Sequence, residues 1–99
     1  MKMAFLVCNG YFEDRVLRLL ADCGIDYFTS WNPVKGKGHG TEPHLGTAAF
    51  GSTNVMFMVA FEETAPLENL IRTVGEANQE IKRPADRIRL FQIPLDRIV

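Results

Sequence analysis

Cysteine is scarce in this chain of 99 residues, and neither sign of charge predominates. The two cysteines, Cys8 and Cys23, are too far apart for a CxxC redox or zinc motif, and we interpret them as free thiols in a reducing compartment. The eleven basic residues are scattered among twelve acidic ones, so the basic patch of a nucleic-acid-binding protein is not expected. No apolar run approaches the roughly 20 residues of a membrane-spanning helix. We therefore expect a cytoplasmic protein that neither binds nucleic acid nor inserts into a membrane.

Catalytic motifs are also missing. No Ser or Cys lies in a recognisable nucleophile elbow, and no triad is evident. The segment that follows the first predicted strand carries Glu13 and Asp14, two acids that would repel an acyl phosphate at the place where acylphosphatases bind one. We therefore expect a protein that is not an enzyme.

Hydrophobic periodicity predicts four strands and two helices in a single domain, residues 1–99. The predicted strands are Met3–Cys8, Ile25–Trp31, Asn54–Phe61 and Arg87–Leu95. One helix has its apolar positions between Phe12 and Cys23 and stops at Gly24, and the second begins near Thr64 and ends before Pro84. This order predicts an α+β fold, a ferredoxin-like βαββαβ sandwich with a long loop between strands 2 and 3.

Two of the predicted strands are apolar on both sides. In the first strand Met3, Phe5 and Val7 alternate with Ala4, Leu6 and Cys8, and in the third strand Val55, Phe57, Val59 and Phe61 alternate with Met56, Met58 and Ala60. Two helices can cover only one face of a four-stranded sheet. Exposing the other face would forgo about 1.5–3 kcal/mol for each large side chain. We therefore expect an oligomer in which neighbouring subunits supply the second layer.

The long loop is rich in glycine. Residues 33–51 contain five glycines and two prolines, and the segment 34–41 reads Val-Lys-Gly-Lys-Gly-His-Gly-Thr. Closely spaced glycines let a ligand approach the main chain, and amide groups together with lysines can hold an anion such as a phosphate. The segment matches neither the Walker A pattern nor GxGxxG, and a plain flexible loop would have a similar composition.

A metal site is an alternative interpretation of the same loop. His39 and His44 flank Glu42, and two imidazoles with a carboxylate are acceptable zinc ligands. The spacing matches no established zinc motif, and solvated loop histidines would give the same pattern.

Beyond these local patterns, the chain resembles the PII-like signalling proteins over nearly its whole length. The resemblance is carried by the first helix ending in Ala21–Gly24, by residues 34–40, by the return of the chain at 54–57, and by the final strand, residues 88–96 (Ile-Arg-Leu-Phe-Gln-Ile-Pro-Leu-Asp). It implies a homotrimer with its sheets facing inward and a mobile loop at about residues 36–53. It also implies adenine-nucleotide binding in clefts between subunits, and regulation of a protein partner through the loop.

One departure from the PII pattern concerns the binding of phosphates. PII proteins have a second glycine-rich loop between the last helix and the last strand, whereas residues 80–87 contain no glycine. Basic residues at this position could supply part of the missing anion-binding capacity; they are Lys82, Arg83, Arg87 and Arg89. The trimeric divalent-cation-tolerance proteins share the fold, and His39 and His44 would point to them.

Three hypotheses follow. The first is a trimeric PII-like regulator that senses a small anionic ligand such as ATP, ADP or AMP, with Arg87 and Arg89 arriving from a neighbouring subunit. Its expected ligand-binding residues are Lys35, Gly36, Lys37, Gly38, His39, Gly40, Thr41, Arg87 and Arg89. The second is a metal-binding protein of the same architecture that uses His39, Glu42 and His44. The third is a ligand-independent protein-interaction module that docks through its loop.

Overall fold

A computed structural model describes all 99 residues and contains one four-stranded antiparallel sheet with two helices. The elements are, in chain order, β1 (Lys2–Asn9), α1 (Glu13–Asp22), β2 (Thr29–Val34), β3 (Asn54–Phe61), α2 (Thr64–Glu80) and β4 (Arg89–Pro94). Short 3₁₀ turns lie at Gly10–Phe12 and Pro84–Asp86. The strand order is β2-β3-β1-β4, which confirms the predicted ferredoxin-like α+β fold.

Both helices cover the same face of the sheet. The buried core combines alternate residues of β1 and β3 with the apolar stripes of α1 and α2, as the helical periodicity predicts. Phe57 and Phe61 are the largest fully buried side chains. Tyr27 and Phe28 pack edge-on against these rings, with centroid distances of 6.2 and 5.7 Å. This closed layer fixes the two central strands.

The other side of the sheet has no covering layer within the chain, and we call it the open face. Its larger apolar side chains are Met3, Phe5, Val7, Trp31, Met56, Met58, Phe91 and Ile93. Trp31, Phe91 and Ile93 are 41%, 52% and 45% exposed. The prediction that β1 and β3 are apolar on both sides is thus confirmed.

The second strand differs from its prediction, because it begins at Thr29 and not at Ile25. Gly24, with φ of 73°, ends α1, and the amide of Ile25 donates to the carbonyl of Leu20. Ile25 is consequently buried as part of the helix end, and β-propensity alone does not reveal this role. Pro33 is accommodated because β2 is an edge strand.

The loop between β2 and β3 is held by its own backbone hydrogen bonds. Gly36 and His44 exchange two of them, at 2.9 and 2.8 Å, and Gly46 donates to the carbonyl of Ser52 at 3.0 Å. The loop thus closes first at its base and again near its tip. The base lies beside the start of β3, because Gly36 contacts the side chain of Asn54.

Neither helix combines the length and the apolar character that crossing a bilayer requires.

Candidate functional site

A cleft of about 540 Å³ lies between the base of the loop and the first residues of β4. The loop contributes Gly36, Lys37, Gly38 and Thr41 to its walls, and the other side contributes the segment from Arg87 to Arg89. The end of β1 forms part of the floor through Val7 and Cys8. Residues far apart in sequence therefore meet at one end of the sheet.

The two glycines of the loop base allow this close approach. A Cβ atom at Gly36 would lie 2.6 Å from Nδ2 of Asn54, and one at Gly38 would lie 2.7 Å from Oγ1 of Thr41. The same position at Gly38 is only 3.4 Å from a terminal guanidinium nitrogen of Arg89. A larger residue at Gly36 would collide with Asn54 at the start of β3, and one at Gly38 would collide with Thr41 of the loop itself, so both glycines are needed for this shape of the loop base.

The opposite wall is fixed by the end of α2. The side-chain amide of Asn78 both donates to the carbonyl and accepts from the amide of Ile88, each at 2.8 Å. Arg87 donates from Nε to the carbonyl of Ile81 at 3.4 Å. Asn9 donates to Asp86 at 3.2 Å and ties the 3₁₀ turn to β1. These bonds hold Arg87 and Arg89 opposite the loop.

The cleft has an excess of positive charge. Lys37, Arg87 and Arg89 line it, and none of the three forms an ion pair. The one carboxylate in the walls, that of Glu42, is paired with Arg83 from outside the cleft. Three cations beside exposed loop amides can bind an oxyanion.

His44 and Asn54 form a buried polar pair beneath the loop. Their side chains are joined by a hydrogen bond of 2.6 Å between Nδ1 of His44 and Oδ1 of Asn54. The two residues are only 6% and 8% exposed, respectively, and both line the cleft. Because the backbone of His44 is also paired with Gly36, the imidazole has a fixed position in the site.

Cys8 lies in the floor of the cleft as a neutral thiol. Burial, with a smaller contribution from the negative charge of Glu13, raises the pKa of Cys8 from its ordinary 9.0 to about 12. Both cysteines are free; Cys8 is buried and Cys23 is partly exposed. A thiol with so high a pKa is a poor nucleophile near neutral pH.

The structure brings six of the nine predicted ligand-binding residues together. Lining the cleft are Gly36, Lys37, Gly38, Thr41, Arg87 and Arg89. The other three, Lys35, His39 and Gly40, lie outside it and are exposed. In this cleft Arg87 and Arg89 come from the same chain as the loop; that a neighbouring subunit supplies them stays a prediction.

Sequence reasoning missed the role of three polar residues. Asn54 and Asn78 have no place in the predicted site, and His44 enters only as a metal ligand. The available signal was weak: Asn54 is a polar residue at the head of an apolar strand. Their importance depends on contacts between distant segments, which local patterns do not encode.

The metal ligands of the second hypothesis do not converge. His39 is exposed, Glu42 is paired with Arg83, and the ring of His44 is bound to Asn54. The structure contains no group of three or more His, Cys, Asp or Glu side chains arranged to hold a metal ion. The loop histidines therefore form no ready ligand set in this chain.

Comparison with known proteins gives a clear result for the fold. No protein-family model and no curated protein sequence matches the chain. Among solved structures, it is similar to CPII from Thiomonas intermedia K12 bound to ADP and bicarbonate, with a TM-score of 0.68 and 17% identity over 97% of this chain and 88% of that chain. A second structure of CPII, described as a nitrogen regulatory PII-like protein, contains ADP, AMP and bicarbonate and gives a TM-score of 0.67 at the same identity and coverage. The chain thus has the fold of PII-like proteins, and the predicted fold resemblance is confirmed.

Proposed function

We propose that this chain is a PII-like regulatory protein that binds a small anionic ligand, most simply an adenine nucleotide, in the cleft between its loop and β4. The convergence of Lys37, Arg87 and Arg89 on one cleft without carboxylate partners carries this proposal. Binding such a ligand needs no chemistry by the protein. We accordingly propose a sensor and not an enzyme.

The size and walls of the cleft suit a nucleotide. Its volume of about 540 Å³ falls within the roughly 300–1,000 Å³ of small-molecule sites. The cations and loop amides would bind the phosphates, while Val7 and Phe91 offer an apolar surface for a base. The ADP and AMP bound to the similarly folded CPII support the same ligand class.

A homotrimer would complete the site. The open face presents large apolar side chains that a neighbouring copy could bury, and the PII-like resemblance implies three copies. Val7, Arg89 and Phe91 belong both to the open face and to the cleft. Burying the open face would therefore bring a neighbouring subunit to the rim of the cleft, which is the arrangement of a ligand site between subunits.

The loop is the element that would carry the signal. Its base forms the cleft wall, whereas its tip, residues 46–51, is exposed and includes the aromatic side chain of Phe50. A ligand that contacts Lys37 and Gly38 would bias the conformation of the loop and so the affinity for a protein partner. We place this regulation in the cytoplasm, where the two free thiols would remain reduced.

Isothermal calorimetry with ADP, AMP and ATP tests the ligand class. The double variant Lys37→Ala/Arg89→Ala should weaken nucleotide binding at least about tenfold, because each charged hydrogen bond contributes roughly 1.5–3 kcal/mol. The matched control Lys35→Ala/Arg97→Ala removes the same charge outside the cleft and should bind as the unmodified protein does. Absence of binding for all three nucleotides, or equal losses in both variants, would contradict the proposal.

Partner capture with and without ADP separates the sensor from the ligand-independent interaction module. The sensor requires that the amount of captured partner changes with ADP and that this dependence disappears in Lys37→Ala/Arg89→Ala. Capture that is identical under both conditions, but is lost when residues 47–50 are replaced by a Gly-Ser linker, favours the interaction module.

A further inference from the structure

His44 occupies an unusual position for a loop histidine. It is buried, it lines the cleft, and its backbone is paired in both directions with Gly36. The ring therefore lies in the site with the cations described above. The exposed His39, five residues earlier, has none of these contacts.

The hydrogen bond to Asn54 determines the tautomer of His44. Oδ1 of Asn54 is an acceptor, so Nδ1 of His44 must donate in the 2.6 Å bond and carries the proton of the neutral ring. The other ring nitrogen, Nε2, then bears a lone pair. Protonation of Nε2 leaves the bond to Asn54 intact and changes Nε2 from an acceptor into a donor.

Nε2 is free to contact a ligand. It forms no hydrogen bond within the chain. Every side-chain nitrogen or oxygen that is fully buried in this structure does have a hydrogen-bond partner. Nε2 must therefore retain solvent access, and the cleft is the cavity that His44 lines. An acceptor is thus present beside the cationic donors of the cleft.

The other groups around the cleft do not duplicate this acceptor. Lys37, Arg87 and Arg89 are donors only. The carboxylate of Glu42 is engaged by Arg83, and the thiol of Cys8 on β1 is held neutral by burial. Thr41 also lines the cleft, but its hydroxyl can donate as well as accept. Neutral Nε2 of His44 is therefore the unpaired side-chain group in this part of the site that only accepts.

We propose that His44 is a specificity-determining ligand residue: in its neutral form Nε2 accepts a hydrogen bond from a hydroxyl of the bound ligand, so among small oxyanions of equal charge the cleft prefers one that carries a hydroxyl, and in a nucleotide a ribose hydroxyl would take that place. This inference rests on the proposed anion site and specifies its ligand chemistry. A proton-free anion would place an oxygen lone pair against that of Nε2, whereas a hydroxyl-bearing anion would donate to it.

Inorganic phosphate and sulfate form a matched pair of probes. At about pH 8 both are tetrahedral dianions, and only hydrogen phosphate carries a hydroxyl. We expect phosphate to bind at least about tenfold more tightly than sulfate at that pH. The dissociation constants are measured by calorimetry or by NMR titration at fixed ionic strength.

Two variants test whether the ring of His44 causes the selectivity. His44→Gln offers both a donor and an acceptor and should bind the two anions about equally. His39→Gln, a change of the same kind outside the cleft, should retain the selectivity. Ring ¹⁵N spectra add a direct readout: at about pH 8 the Nε2 signal of His44 should be that of an unprotonated nitrogen and should shift on addition of phosphate but not of sulfate.

The outcomes separate this inference from the function on which it rests. Equal binding of the two anions near pH 8, or unchanged selectivity in His44→Gln, overturns the inference while leaving the anion site in place. Binding of ADP without detectable binding of phosphate also overturns it. Failure of ADP, phosphate and sulfate alike to bind overturns the proposed function and the inference together.

Discussion

Phe57 and Met58 are neighbours in β3, but their side chains have opposite surroundings. Phe57 is 1% exposed beneath the helices and packs against the ring of Phe28. Met58 lies on the open face, opposite Phe5 of β1 and Thr29 of β2, and is only partly buried by its own chain. Residue type alone therefore does not determine which apolar side chains form the core.

The difference suggests that the two faces of the sheet have different roles. The closed face contains the core that defines the fold, and it is complete in one chain. The open face has similar side chains without a partner layer. The cleft lies at the end of the sheet where Cys8 of the closed face and Val7 of the open face meet the loop, so both faces contribute to the candidate site.

Removing the buried ring should have the largest effect on stability. Phe57→Ala deletes a fully buried aromatic side chain, and we expect it to lower the free energy of unfolding by about 3–5 kcal/mol. Denaturant unfolding followed by far-UV circular dichroism measures the change. Met58→Ala, one residue away, serves as the control and should lower the free energy of unfolding of the dissociated chain clearly less. An equal decrease in both variants would show that the two faces do not differ in their contribution to stability.

Alkaline pH should destabilise the closed face through Cys8. Because the folded-state pKa of about 12 exceeds the ordinary 9.0, the thiol contributes its full stabilisation below pH 9 and loses it as pH rises towards 12. The loss should be about 1.4 kcal/mol per pH unit in this range, reaching about 4 kcal/mol. Comparison of unfolding curves for the unmodified chain and Cys8→Ala isolates the effect from other groups, and parallel pH profiles would contradict it.

A charge on the open face should prevent the assembly of subunits without unfolding the chain. Met58→Lys places an ammonium group among apolar side chains that we propose are shared between copies, where each large side chain contributes about 1.5–3 kcal/mol when buried. Sedimentation velocity should show a trimer for the unmodified protein and a folded 11.2 kDa species for the variant. A monomer in both cases would show that the open face has no partner in a second copy.

The fold could be predicted from sequence because its signals are local and agree with one another. The apolar stripes of α1 and α2 and the two-sided alternation of β1 and β3 leave few arrangements of four strands and two helices. The start of the second strand is predicted wrongly because of tertiary contacts. Ile25 packs at the end of α1 and Tyr27 packs against Phe61, so their apolar character does not reflect pairing in the sheet.

The site could be predicted only in part. Glycine and lysine spacing identified Gly36, Lys37 and Gly38, because close approach to a main chain requires a particular local sequence. The pairing of His44 with Asn54 and of Asn78 with Ile88 joins residues ten positions apart through a turn of the chain. Such contacts leave no periodic pattern in the sequence, so only the structure shows that Nε2 of His44 is an acceptor in the site.

The ion pair at the edge of the cleft should have the smallest effect on stability and an informative effect on binding. Glu42 and Arg83 are 52% and 67% exposed, so breaking their pair should change the free energy of unfolding by less than about 1 kcal/mol. The two ways of breaking it differ electrostatically at the site. Glu42→Gln removes the only carboxylate in the cleft walls and should strengthen the binding of ADP about twofold, whereas Arg83→Gln leaves that carboxylate unpaired and should weaken binding by a similar factor.

If the two variants shift the affinity for ADP in opposite directions, the anion lies beside Glu42. Both shifts should become smaller as the salt concentration rises from about 0.05 to 0.5 M. Calorimetry at the two salt concentrations provides the measurement. Both variants lose the ion pair between Glu42 and Arg83, and Arg83→Gln loses in addition the longer contact with Asp86 at 3.8 Å. A merely structural role would therefore weaken binding in both variants. Shifts of equal sign would therefore place the ligand away from the loop base and would separate the cleft from the function proposed for it.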